Sequence, residues 1–81
     1  MLTIKVLGPG CANCRKLEEI ARAAATSAGI AAEVVKVTDM QQIVGYGVLK
    51  TPGLVIDEKL VCSGRIPAPE SVVEWIKTAA A

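Results

Sequence analysis

Leu2-Thr3-Ile4-Lys5-Val6-Leu7-Gly8-Pro9-Gly10-Cys11-Ala12-Asn13-Cys14 is the stretch whose reading decides the fold. Leu2, Ile4 and Val6 alternate with Thr3 and Lys5, the period of a strand with one apolar face. Gly8-Pro9-Gly10 interrupts that strand, and the period then changes. Leu17, Ile20, Ala21, Ala24 and Ala28 recur at helical spacing until Gly29 stops the pattern, which predicts a helix from about Cys11 to Ala28. A dithiol therefore stands where a strand hands over to a helix. The first N–H groups of a helix lack internal partners and the macrodipole is positive there, so a thiolate at Cys11 is stabilised.

Further along, Ile30 to Val37 reads as a second strand, and Thr38-Asp39-Met40-Gln41 has the form of a capping box opening a short helix closed by Gly45 and Gly47. Leu54–Ile56 and Leu60–Ser63 flank Asp57-Glu58-Lys59 as a hairpin of open loop type, since no Asn-Gly or Asp-Gly is present. Pro69 suits a first helical turn, and Val72, Val73, Ile76 and Ala80 give the last helix its apolar face. The order β-α-β-α-β-β-α predicts an α/β fold. A right-handed β-α-β unit followed by an antiparallel hairpin gives a four-stranded mixed sheet with helices on both faces.

Composition narrows the function. With 81 residues the chain is expected to form one domain, residues 1–81. Nine basic and eight acidic residues leave a net charge of +1, which offers no footprint for nucleic acid or an anionic membrane. There is no signal-peptide pattern after Met1 and no apolar run near about 18 residues, so a cytoplasmic location and no membrane partner are expected. Three cysteines, two of them in C-x-x-C, do not make a secreted disulfide framework. The absence of histidine and of a second C-x-x-C argues against a structural metal site within the chain.

The Cys11-x-x-Cys14 block after the first strand, Lys50-Thr51-Pro52-Gly53 before the third, and Lys59-Leu60-Val61-Cys62-Ser63-Gly64-Arg65 at the hairpin exit together resemble the thioredoxin superfamily, within it the small redox-active disulfide proteins. The likeness covers essentially the whole chain. It implies that Cys11 is the attacking cysteine, Cys14 the resolving one, and Pro52 a cis-proline lying against the dithiol. Gly10, Ala12, Asn13, Thr51 and Pro52 would contact substrate, with Thr51 offering backbone groups to an extended chain and Pro52, lacking an N–H, leaving its own position open. The reaction implied is thiol–disulfide exchange on a protein disulfide or small thiol substrate, with a dithiol reductase as donor, no cofactor beyond the dithiol itself, and a monomeric protein.

The sequence departs from the better-known thioredoxins at three places. Gly10 replaces an aromatic residue, Ala12-Asn13 replaces Gly-Pro, and six residues before Cys11 stands Lys5 in place of a buried acid. Lys5 is expected to face solvent, the alternative being a place beside Cys14. Cys62 is expected to be a buried small hydrophobe and Trp75 to cover the edge of the core. Tyr46 is read either as lining a substrate groove or as packing beneath the Thr51-Pro52 loop. Two competing readings stand beside redox chemistry. Gly10-Cys11-Ala12-Asn13-Cys14 also resembles the heavy-metal-associated domain, whose thiolate pair carries Cu(I), but that domain has the order β-α-β-β-α-β. A non-catalytic adaptor would keep the fold without needing both thiols.

Overall fold

Alternation in β1 (Leu2–Leu7) sorts the molecule into two faces. In the computed structural model, which describes residues 2–8, 12–48 and 50–80, Leu2, Ile4 and Val6 face one core and Leu7 the other. The remaining elements are α1 (Ala12–Ala28), β2 (Ala32–Val37), α2 (Met40–Gly45), β3 (Gly53–Ile56), β4 (Lys59–Ser63) and α3 (Pro69–Ala80). The sheet order is β2-β1-β3-β4, with β1 parallel to β2, β3 antiparallel to β1, and β4 antiparallel to β3. This is the α/β, four-stranded mixed sheet that the sequence predicts.

The larger core places α1 and α3 against one sheet face. Leu17, Ala21 and Ala24 of α1 meet Leu54 and Ile56 of β3 and Val72 and Ile76 of α3. Alanine at three of the buried α1 positions lets the helix approach closely, which suits a chain without phenylalanine. In α3 it is Ala79, not the expected Ala80, that packs inward, and Trp75 lies half-buried against the same core. Cys62 is buried there too. On the opposite face Leu7, Val37, Val48 and Val55 enclose Ile43, the buried anchor of α2.

Three boundaries differ from expectation, each for a local reason. β2 starts at Ala32 rather than Ile30, because Ile30 is committed to capping α1. Gly29 takes φ +69, its N–H donates to Thr26 O at 3.1 Å, and the Ile30 N–H donates to Ala25 O at 3.1 Å, a Schellman ending. The N-cap of α2 is Asp39, not Thr38. Its extended backbone and carboxylate, which accepts from the Gln41 N–H at 2.8 Å, satisfy an orphan donor with a charged acceptor. Finally, Asp57 and Glu58 turn the hairpin with φ 53 and 69, the two-residue type I′ pattern without a glycine.

Candidate active site

Cys14 lies in the first turn of α1 with 5% exposure, while Ala12 and Asn13 before it are exposed. Cys11 and Gly10 lie outside the described residues. Gly8, the residue after β1, sets how Cys14 is held. A Cβ built on Gly8 would overlap Cys14 Sγ, stand 3.4 Å from Cys14 Cβ and 3.7 Å from Thr51 Cβ. Glycine is therefore needed here for close approach. Gly8, Cys14 and Thr51 meet at one point, and the Gly8 N–H is tied to Val37 O at 2.9 Å.

The Thr51–Pro52 peptide bond is cis, with Pro52 buried and Thr51 half-buried. Pro52 O accepts the Gly64 N–H at 2.9 Å, so the loop is fixed to the exit of β4. Gly64 takes φ +74 and stands against the Lys50 side chain.

Beside Cys14 opens a cleft of ≈ 340 Å³. Val6 and Gly8 contribute to it from β1 and its end, Cys14, Arg15 and Glu18 from α1, and Lys36 from β2. Glu18 carries two partners. Arg22 donates to its Oε2 through Nη2 at 2.8 Å and Nε at 3.2 Å, and Lys36 Nζ stands 3.4 Å from Oε1. The Arg22 hydrogen bonds hold the Glu18 carboxyl below its ordinary value, with Lys36 adding to this and partial desolvation opposing it.

Lys5 sits on the other face of the sheet. Strand parity puts Val6, not Lys5, on the Cys14 side. Lys5 Nζ donates to Tyr46 Oη at 2.7 Å and to Glu58 Oε1 at 2.6 Å, and Tyr46 O–H donates to Glu58 Oε2 at 3.1 Å. The expected solvent-facing lysine is instead part of a closed triangle with its side chain 24% exposed. The Glu58 hydrogen bond, then that of Tyr46, raises Lys5 above its ordinary 10.5, and the same contacts lower Glu58. Tyr46 packs against the α2-side core while closing this triangle. Cys62 Sγ lies 3.8 Å from Arg65 O within the larger core.

Gly8, Glu18 and Lys36 join the site without having been singled out in the sequence. Gly8 reads there as a turn residue, and the other two carry no assigned role. The available signal is parity: Val6 pairs with Lys36 across the parallel ladder, and a paired residue shares its neighbour's face.

A mixed four-stranded sheet with a buried thiol in the first turn of α1, set beside a cis-proline loop, defines the class of small α/β redox proteins with thioredoxin-like architecture. The thioredoxin-domain family matches residues 2–77. A thioredoxin of Methanothermobacter thermautotrophicus is 42% identical over 72 residues, covering 89% of this chain and 94% of the relative. A thioredoxin of Methanocaldococcus jannaschii is 38% identical over 78 residues, covering 96% and 90%. The chain belongs to the thioredoxin family. Among solved structures, a Nu-class GST from Haemonchus contortus matches with a TM-score of 0.47 and 20% identity, covering 99% of this chain and 37% of that one. The order β-α-β-α-β-β-α is not that of the heavy-metal-associated domain. Among the described residues no helix is long and apolar enough to cross a membrane.

Proposed function

We propose that the protein is a thiol–disulfide oxidoreductase working through a Cys11–Cys14 dithiol. The Cys11 thiolate attacks a substrate disulfide and forms a mixed disulfide. Cys14 then displaces the reduced substrate and closes the Cys11–Cys14 bond. The observation that carries this reading is the placement of Cys14, buried in the first turn of α1 and packed against Gly8, which also neighbours Thr51 of the cis-proline loop. A resolving thiol benefits from such shielding, because it then meets only a sulfur delivered to it by its neighbour three residues away. Membership of the thioredoxin family supports the same chemistry.

In this reading Gly10, Ala12, Asn13, Thr51 and Pro52 form the surface that meets substrate. An extended segment pairs with the Thr51 backbone, and Pro52 has no N–H to compete for it. Main-chain recognition makes the substrate class broad: protein disulfides and small disulfides alike. A dithiol reductase regenerates the reduced form, and the chain acts as one domain.

The test is mixed-disulfide trapping. Cys14→Ser protein, incubated with glutathione disulfide, is expected to hold one glutathione at Cys11 by peptide mass mapping, while the parent reduces the same probe and carries none. Absence of any adduct at Cys11 in the Cys14→Ser protein contradicts the mechanism.

A further inference from the structure

The cis-proline loop is held unequally at its two ends. On the exit side Gly53 opens β3, which pairs with both β1 and β4, and Pro52 O accepts the Gly64 N–H at 2.9 Å. On the entry side there is no strand. Gly47 still donates back to Val44 O at 2.9 Å, but among the described residues no backbone–backbone hydrogen bond runs from Val48, Lys50 or Thr51. Side chains hold this arm instead. Val48 is buried in the smaller core and lies against Gly53, with its Cγ2 3.1 Å from where a Cβ on that glycine would stand.

Two positions earlier, Tyr46 packs against the same core and engages two charged partners through its hydroxyl. Lys5 Nζ donates to Tyr46 Oη at 2.7 Å, the Tyr46 O–H donates to Glu58 Oε2 at 3.1 Å, and Lys5 and Glu58 complete the triangle at 2.6 Å. Hydrogen bonds with an ionised partner are the stronger kind. Glu58 turns the hairpin just beyond β3, so its bond to Tyr46 spans 12 residues and closes the arm, the Thr51–Pro52 loop and β3 into a ring. Pinning both ends of that span restricts what the loop between them can sample.

We propose that Tyr46, held by Lys5 and Glu58, is a positioning residue that sets the Thr51 backbone for extended polypeptide disulfides. The proposal rests on the dithiol-exchange reading and deepens it. A polypeptide that pairs with Thr51 meets a loop already fixed, so less ordering is left to be done on binding. A small disulfide without peptide groups draws nothing from that preorganisation. Tyr46 touches neither sulfur, because its triangle with Lys5 and Glu58 lies on the sheet face opposite Cys14.

The experiment uses Tyr46→Phe, which removes the hydroxyl and keeps the ring against the core. Prereduced protein is mixed with rising amounts of a linear peptide homodimer joined by one disulfide, quenched in acid and alkylated, and the oxidation rates give a half-saturating concentration and a limiting rate. Tyr46→Phe is expected to raise the half-saturating concentration by about three- to fivefold and to leave the limiting rate unchanged. With hydroxyethyl disulfide, which has no peptide groups, its rate is expected to equal that of the parent. Lys5→Met, which withdraws the shared donor, is expected to reproduce the shift, and the double variant to add little to it. Unmoved half-saturation in Tyr46→Phe, or an equal slowing with both disulfides, overturns the proposal. Parent protein that is oxidised by neither disulfide refutes the exchange reading, and the proposal with it.

Discussion

Gly8→Ala inserts one methyl group between Cys14 and Thr51, at the place where the site has least room. The new Cβ overlaps Cys14 Sγ and lies at ordinary contact from Cys14 Cβ, 3.4 Å, and Thr51 Cβ, 3.7 Å. Cys14 is 5% exposed, so relieving the overlap displaces a side chain that is already packed. Forcing an extra methyl into a packed site costs about 1–3 kcal/mol. The restriction that alanine places on the unfolded chain returns about 0.4–1 kcal/mol. The expected net loss is about 1–2 kcal/mol, seen as a fall in Tm of about 4–16 °C for a domain of this size. The assay is a double-mutant cycle by urea unfolding of the reduced protein. In a Cys14→Ala background the obstructing sulfur is gone, and Gly8→Ala is expected to cost less than half as much, a coupling of about 1 kcal/mol. Equal costs in both backgrounds would refute the reasoning, because the penalty would then come from Gly8's backbone and not from its approach to Cys14.

Other outcomes follow from the same contacts. Ile43→Ala empties the one buried anchor of α2 and is expected to cost about 2–5 kcal/mol in urea unfolding, with protection from amide exchange lost first in α2. Asp39→Ala is expected to cost about 1 kcal/mol and Thr38→Ala far less, since only Asp39 caps the Gln41 N–H. Glu18 and Glu58 are both lowered by their partners, so their contribution is present above the unfolded carboxyl value of 4.5 and lost as pH falls through the folded values. The urea midpoint is expected to drop over that acid range, and the drop is expected to flatten in Glu18→Gln and Glu58→Gln proteins. Lys5, raised above 10.5, behaves oppositely: its contribution is complete below that value and lost as pH rises through the folded one, a loss expected to vanish in Lys5→Met.

Most of the architecture is written in local period. The change from alternation in Leu2–Val6 to helical spacing after Cys11, and the same change at Pro69, place strands and helices without tertiary information. The element order then leaves few topologies. What the period does not carry is competition between neighbouring acceptors and pairings made across the sheet. Thr38 and Asp39 both satisfy a capping pattern, and only the charged acceptor's advantage separates them. Glu58 occupies φ +69 in a turn that carries no glycine, and what steadies it there comes from Lys5 and Tyr46, 53 and 12 residues away in the chain. Counting back from Cys11 reaches Lys5, yet the pleat, not the count, decides which residue faces Cys14, and it is Val6. Gly8 looks like turn chemistry beside Pro9 but is required by a sulfur that approaches it from α1. Glu18 and Lys36 meet because the β1–β2 register sets Lys36 beside Val6, a fact of pairing that no window of sequence contains.

The central claim is that Cys11 and Cys14 form a reversible dithiol, and the most direct test equilibrates the protein in graded dithiothreitol redox buffers, alkylates the free thiols and counts adducts by mass spectrometry. The account predicts a single two-electron transition that removes two alkylation sites together, leaves Cys62 modified or protected alike at every potential, and disappears in Cys11→Ser. A Cys11–Cys14 pair that never closes into an intramolecular disulfide across that range would contradict it.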